Sequence, residues 1–170
     1  MIAFDPARLI PKSLAELKER ELFLQRNMSK HILAIVVVAG PSEHLICHLN
    51  GEHAFHLESI KTRMSRSSVI TLPSAIDKLS LRIDTDSAPN DLFVYPPGRL
   101  VTTSNDGPGI IVNRPGKQID DEPYVLSLPQ WELSQVGRPA FGFERWSLSH
   151  LDQDGSWQSL VERTPSKQSD

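Results

Sequence analysis

From residue 30 to residue 163 the chain never sustains an apolar run of more than about eight residues before a glycine, proline, asparagine, charge or hydroxyl interrupts it. The longest such run, residues 32–39 (ILAIVVVA), falls far short of the ~20 residues a membrane-crossing helix needs, and it reads as a buried strand. The other candidate strands are LICHLN, HAFHLESI, SVITL, LSLRIDT, LFVY, RLVTTS, GIIVN, YVLSL, AFGFERWSLSHL and SWQSLVER. Between them stand GPSE, NG, SAPND, PPG, NDGPG, RPGKQIDDEP and DQDG, whose residues supply positive φ, fixed φ or side-chain turn bonds. Short strands recurring roughly every 10 residues between such turns predict a mainly β domain, an antiparallel β-sandwich or a barrel-like fold. A short helix is expected at residues 74–79, after Pro73.

The start of the chain carries a different pattern. Residues 1–12 hold two prolines and suit an extended arm. Ser13, with Glu16 three positions on, has the form of a capping box, and the spacing predicts a helix over residues 13–29 packed across the β body. Leu14, Leu17, Leu24 and Met28 share one face of that helix, with Glu21 among them. Phe23 would point the opposite way, which makes it a candidate partner contact. The whole chain reads as a single domain, with a β-rich body over residues 30–163 and a frayed tail over 164–170.

A hydrophobic content of 39% with 23% charged residues belongs to a folded globule rather than a disordered chain. A 170-residue domain can bury roughly 70% of the surface its unfolded chain exposes, so it needs no metal or disulfide to fold, and no cofactor is expected. The one cysteine, Cys47, has no partner for an internal bridge and suits a reducing compartment, hence a cytoplasmic location. Asp5, Arg8, Lys12 and Glu16 interrupt the N-terminal segment before any leader-like apolar run develops. The formal net charge of −3 counts against a general nucleic-acid binder. Residues 1–85 carry 11 basic against 9 acidic side chains and the remainder 7 against 12, an asymmetry too mild to fix a partner.

Four of the six histidines fall between positions 44 and 56. With Asn50-Gly51 as a two-residue hairpin turn, His48 would stand directly across from His53, close enough to share a metal ion. Two ligands do not make a site, and a third would have to come from elsewhere in the fold. A second hairpin is expected at Asp154-Gly155. Its DQDG sequence places Asp152 and Asp154 before a glycine, but it lacks the third oxygen position and distal glutamate of a calcium loop.

Pro96-Pro97-Gly98 and Asn105 fit the frame of the second conserved motif of the cupins, and His53-Ala54-Phe55-His56-Leu57-Glu58 stands where the first motif has H-x-H followed by a glutamate. The segment is thus similar to part of a cupin. That resemblance implies a β-barrel around a metal centre, but the second motif's histidine position holds Val101, so the ligand set does not carry over.

No G-x-S-x-G elbow occurs, NDGPG is not followed by the lysine of a phosphate-binding loop, and Cys47 sits mid-strand where packing is the usual role. Lys61, Arg63 and Arg66 form a short basic, serine-rich connection suited to an acidic partner or a phosphate. Among the C-terminal aromatics, Trp146 points away from Phe141 and Phe143 and is a further candidate contact. These features together predict a non-catalytic interaction module that recognises another protein or associates with itself as a homo-oligomer, with no membrane partner. The alternatives are a metal-dependent enzyme or sensor using His48 and His53, and a small-ligand-binding β-barrel.

Overall fold

A computed structural model of the chain describes residues 10–27, 30–40, 43–60, 68–72, 79–89, 95–103, 107–114, 124–128, 130–135, 141–151 and 155–164. These residues form fourteen strands: β1 (Ile10–Ser13), β2 (Leu22–Asn27), β3 (Lys30–Gly40), β4 (Glu43–His48), β5 (Leu57–Ser59), β6 (Ser68–Thr71), β7 (Leu79–Ile83), β8 (Leu100–Thr103), β9 (Gly107–Val112), β10 (Tyr124–Ser127), β11 (Leu133–Gln135), β12 (Phe141–Phe143), β13 (Trp146–Leu151) and β14 (Trp157–Arg163). They build three antiparallel sheets. One has six strands in the order β1-β6-β2-β3-β4-β5, one has five in the order β11-β10-β9-β8-β12, and one has three in the order β14-β13-β7.

The near-continuous apolar run in β3 follows from its place inside the six-stranded sheet, where both faces are buried. Leu33, Ile35 and Val37 enter the main core, while Ala34 and Val36 enter a second cluster with Leu14, Phe23, Ile46 and Val69. The main core draws on all three sheets: Cys47 and Leu57 from the first, Leu100, Ile110 and Leu126 from the second, Trp146, Leu148 and Leu160 from the third. Each such side chain contributes on the order of 1.5–3 kcal/mol through the apolar area it removes from water. Two isolated parallel bridges, Val38 with Glu132 and His56 with Asn113, tie the six- and five-stranded sheets together.

The mainly β expectation holds, but the N-terminal helix does not form. Among the described residues no helix reaches seven residues. Ser13 and Glu16 do make their contact: the Glu16 carboxylate accepts from the Ser13 backbone N–H at 2.8 Å and from its hydroxyl at 2.9 Å. Those bonds hold the exposed Glu16 carboxyl below its ordinary range. The helix they open is a single 3-10 turn, Leu14–Glu16. Arg20 then takes a positive φ of 62°, its N–H donates to the Val36 carbonyl, and the chain enters β2 alongside β3 with six Cα partners, from Leu22 opposite Ile35 to Asn27 opposite Lys30.

The reason is burial. As a helix, residues 13–29 could hide one stripe, interrupted by Glu21, and a helix of that length draws little stability from propensity alone. As a strand, the segment buries Leu22 in the main core and Phe23 in the second cluster, with Leu24 packed against the former. Glu21 is freed to pair with Lys12. Tertiary pairing overrides the local helical preference.

Three further corrections follow. Among the described residues the sheets stay separate, each with two terminal strands and none closed into a barrel. The long segment around Phe141 and Trp146 is two strands in different sheets, β12 against β8 and β13 against β7 and β14. Strands β1, β2 and β11 arise where none was expected. The helix expected at residues 74–79 lies outside the described residues except for Leu79, which opens β7, and the expected strand at residues 92–95 lies outside them except for Tyr95.

Candidate functional site

The three sheets meet at a turn. Pro96, Pro97, Gly98 and Arg99 reverse the chain before β8, with the Arg99 N–H donating to the Pro96 carbonyl at 3.2 Å and Gly98 at φ +85°. A proline second and a positive-φ glycine third are what a type II turn requires. The Gly98 N–H donates to Ile111 at 2.7 Å, fixing the turn on β9, and its carbonyl accepts from the buried indole Nε1 of Trp146 at 2.9 Å.

Phe55, from the β4–β5 connection, packs on Trp146 with ring centroids 5.8 Å apart. Across its ring lies the guanidinium of Arg163, the last residue of β14, with Cζ 5.8 Å from the centroid. A Cβ at residue 98 would collide with Arg163 Nη1 and with the Phe55 ring, so glycine is needed there for space as well as for φ.

Arg99 and Glu144 lie beside Arg163. Arg99 is buried, and its Nε donates to Glu144 Oε1 at 2.8 Å while Nη2 donates to the same oxygen. Among the described residues nothing accepts from the buried Nε of Arg163. Burial pulls the Arg163 pKa below the ordinary guanidinium value; Glu144 nearby opposes this and Arg99 adds to it. Arginine stays protonated in proteins, so the Arg163 guanidinium carries its charge and moves no proton.

The expected metal pair is not assembled. The β4–β5 register sets Ile46 opposite Glu58 and Cys47 opposite Leu57, and the backbone of His48 bonds to that of His56 rather than of His53. Gly51 keeps its positive φ of 84°, but the reversal runs through residues 49–56 instead of closing in two residues. Asn50 has another task there, since its Oδ1 accepts from the Leu33 N–H at 2.9 Å. His48 is buried with Nε2 3.2 Å from Glu58 Oε2, whereas His53 is exposed and meets His56 edge to face at 6.0 Å. Among the described residues no group of three or more metal-ligating side chains occurs.

Phe23 and Trp146, expected as partner contacts, are both core residues: Phe23 is 0% exposed, and Trp146 is fixed by Gly98 and Phe55. Lys61, Arg63 and Arg66 lie outside the described residues, as do Asn105 of the cupin-like frame and Asp152 and Asp154. Val101, at that frame's histidine position, packs with Ile111 and Val125. Cys47 is buried and its thiol pKa is pushed up to about 12.

The large apolar side chains left exposed among the described residues are Ile10 (48%), Phe141 (64%) and Trp157 (53%). They lie on β1, β12 and β14, a terminal strand of each of the three sheets. Sequence patterning singled out Phe141 among these but not the edges, which only the strand order reveals.

Comparison with protein-family models, with curated proteins and with solved structures finds no match to this chain. Among the described residues no helix is long and apolar enough to cross a membrane.

Proposed function

We propose that the chain is a non-catalytic protein-interaction module that recognises another chain along its sheet edges, with a second copy of itself as the first partner to test. The observation that carries this reading is the placing of Ile10, Phe141 and Trp157 on terminal strands of three different sheets. Edge strands present unpaired N–H and C=O groups, and proteins ordinarily blunt them with charge or proline, as Pro11 and Lys12 do in β1, which leaves β12 and β14 the more open edges. An exposed apolar side chain beside such an edge, Phe141 or Trp157 above all, gives an incoming strand both backbone hydrogen bonds and an apolar anchor. In this reading the sheets pack in sandwich fashion around the shared core, which commits their inner faces and leaves the edges for recognition. The lone buried Cys47 suits work in a reducing compartment such as the cytoplasm.

Light scattering across a wide concentration range tests the reading. The mass should rise toward that of a dimer as the chain is concentrated. One of Ile10→Lys, Phe141→Lys or Trp157→Lys should hold it at the mass of a monomer, because a charge on the pairing edge opposes strand addition. A monomer at every concentration removes self-association; dimers in all three single variants remove the exposed edge residues as its cause.

A further inference from the structure

We propose that Asn50-Gly51 is a self-modification site, where the asparagine deamidates at a rate set by how often its contact with β3 opens. It is the one Asn-Gly pair in the sequence. The site shares no residue with the sheet edges of the proposed function, so either reading can fail without the other.

The chemistry belongs to the pair itself. The Gly51 backbone nitrogen gives up its proton to water or hydroxide and attacks Asn50 Cγ. A bond forms from that nitrogen to Cγ, the bond from Cγ to Nδ2 breaks, and Nδ2 leaves as ammonia. Water then opens the cyclic imide at either carbonyl, leaving aspartate or isoaspartate, with nothing oxidised or reduced. Glycine has no Cβ to crowd the approach of its nitrogen. Gly51 is exposed, so water reaches the pair.

The fold sets the rate. The β3–β4 register begins at Ala34 opposite His48. One residue beyond it, the Leu33 carbonyl accepts from the Leu49 N–H at 2.8 Å, and the Leu33 N–H donates to Asn50 Oδ1 at 2.9 Å. The Asn50 side chain thus stands in for a backbone carbonyl and adds a rung to the ladder. Leu33 is fully buried, so losing this acceptor would strand its N–H away from water. On the other side of the pair, Gly51 is held at φ +84° and its carbonyl accepts from the Ala54 N–H at 3.2 Å. Closing the imide takes rotation about the Asn50 side chain and about the Asn50–Gly51 backbone. Bonds on both sides oppose those rotations, so the attack geometry is reached when the rung opens.

The product would act on the fold in turn. Isoaspartate routes the main chain through Cβ and Cγ, which lengthens the reversal and turns the carbonyl that Leu33 binds into main chain. That reversal carries Phe55, whose carbonyl accepts from the Asn113 N–H at 2.9 Å and whose ring packs on Trp146. Isoaspartate at position 50 therefore loosens the junction of the six-stranded sheet with the other two.

The test incubates the intact chain at mildly alkaline pH in native buffer, in urea below the unfolding transition and in urea above it. Peptide mapping by mass spectrometry follows conversion at position 50, and hydrogen exchange of the Leu33 amide reports opening of the rung. Conversion should be slower by roughly tenfold or more in native buffer than in the unfolded chain, and should rise below the transition in step with Leu33 exchange. Gly51→Ala should slow conversion in the unfolded chain, a readout that does not depend on the variant folding. Asn50→Asp keeps an acceptor for Leu33 and should melt close to the natural chain, whereas the isoaspartate form should melt several degrees lower. Conversion as fast in the folded chain as in the unfolded one, or independent of Leu33 exchange, would overturn the gating. Absence of conversion in the unfolded chain would overturn the site itself, and an Asn50→Asp chain melting as low as the isoaspartate form would overturn the backbone effect.

Discussion

Gly98 and Cys47 show how single residues set the limits of this fold. At Gly98 two demands coincide, a φ of +85° and contact with Arg163 and the Phe55 ring. Gly98→Ala should therefore destabilise the chain by about 2–4 kcal/mol, combining left-handed strain with overpacking, as read by denaturant unfolding. A neutral result would mean that Phe55 and Arg163 do not close on this turn. At Cys47 the effect depends on pH. Burial lifts the thiol from an ordinary 9.0 to about 12, so between those values the folded chain keeps a proton that the unfolded chain has lost. Stability must then fall as pH rises through that window, with a slope from this group of up to about 1.4 kcal/mol per pH unit. Cys47→Ala should show a shallower alkaline loss than the natural chain when both are unfolded between pH 8 and pH 10.5. Equal slopes would mean that the thiol is not buried.

At the scale of elements, β2 carries the sharpest contrast between local pattern and fold. Phe23→Ala should cost about 3–5 kcal/mol, because its ring is fully buried among Leu14, Ala34, Val36, Ile46 and Val69. Were residues 13–29 a helix with Phe23 facing outward, the same change would be nearly neutral, so thermal or denaturant unfolding separates the two. The alternating and apolar runs from β3 onward are legible in sequence because sheet burial has period 2 and the turns between are rich in Gly and Pro. Residues 13–27 are not, because their charges, capping pair and i, i+3 leucines satisfy a helix locally, while the β3 strand that claims them is a separate element. The Asn50-Gly51 reversal was half legible. Gly51 has the expected positive φ, and Gly51→Val should cost about 1–3 kcal/mol, but Asn50 spends its side chain on Leu33 and the pairing shifts to His48 opposite His56. The candidate site was legible only as the PPG turn. Arg99, Glu144 and Arg163 are separated by 45 residues or fewer in each step along the chain, yet no spacing rule joins them, since it is three sheets closing on one core that brings them together.

On the scale of the whole molecule, the main core joins three sheets, and β1, β12 and β14 are terminal strands among the described residues. Ile10, Phe141 and Trp157 place apolar side chains along those edges, where recognition of another chain would be read as protection of backbone amides. Amide hydrogen exchange of the intact chain, followed as its concentration is raised, measures this most directly. The expected result is slowing confined to one of β1, β12 or β14, with the central strands β3 and β9 unchanged and the slowing lost in the lysine variant of that edge. Exchange at all three terminal strands that is independent of concentration, under conditions where light scattering records a dimer, would contradict edge pairing and place the contact elsewhere.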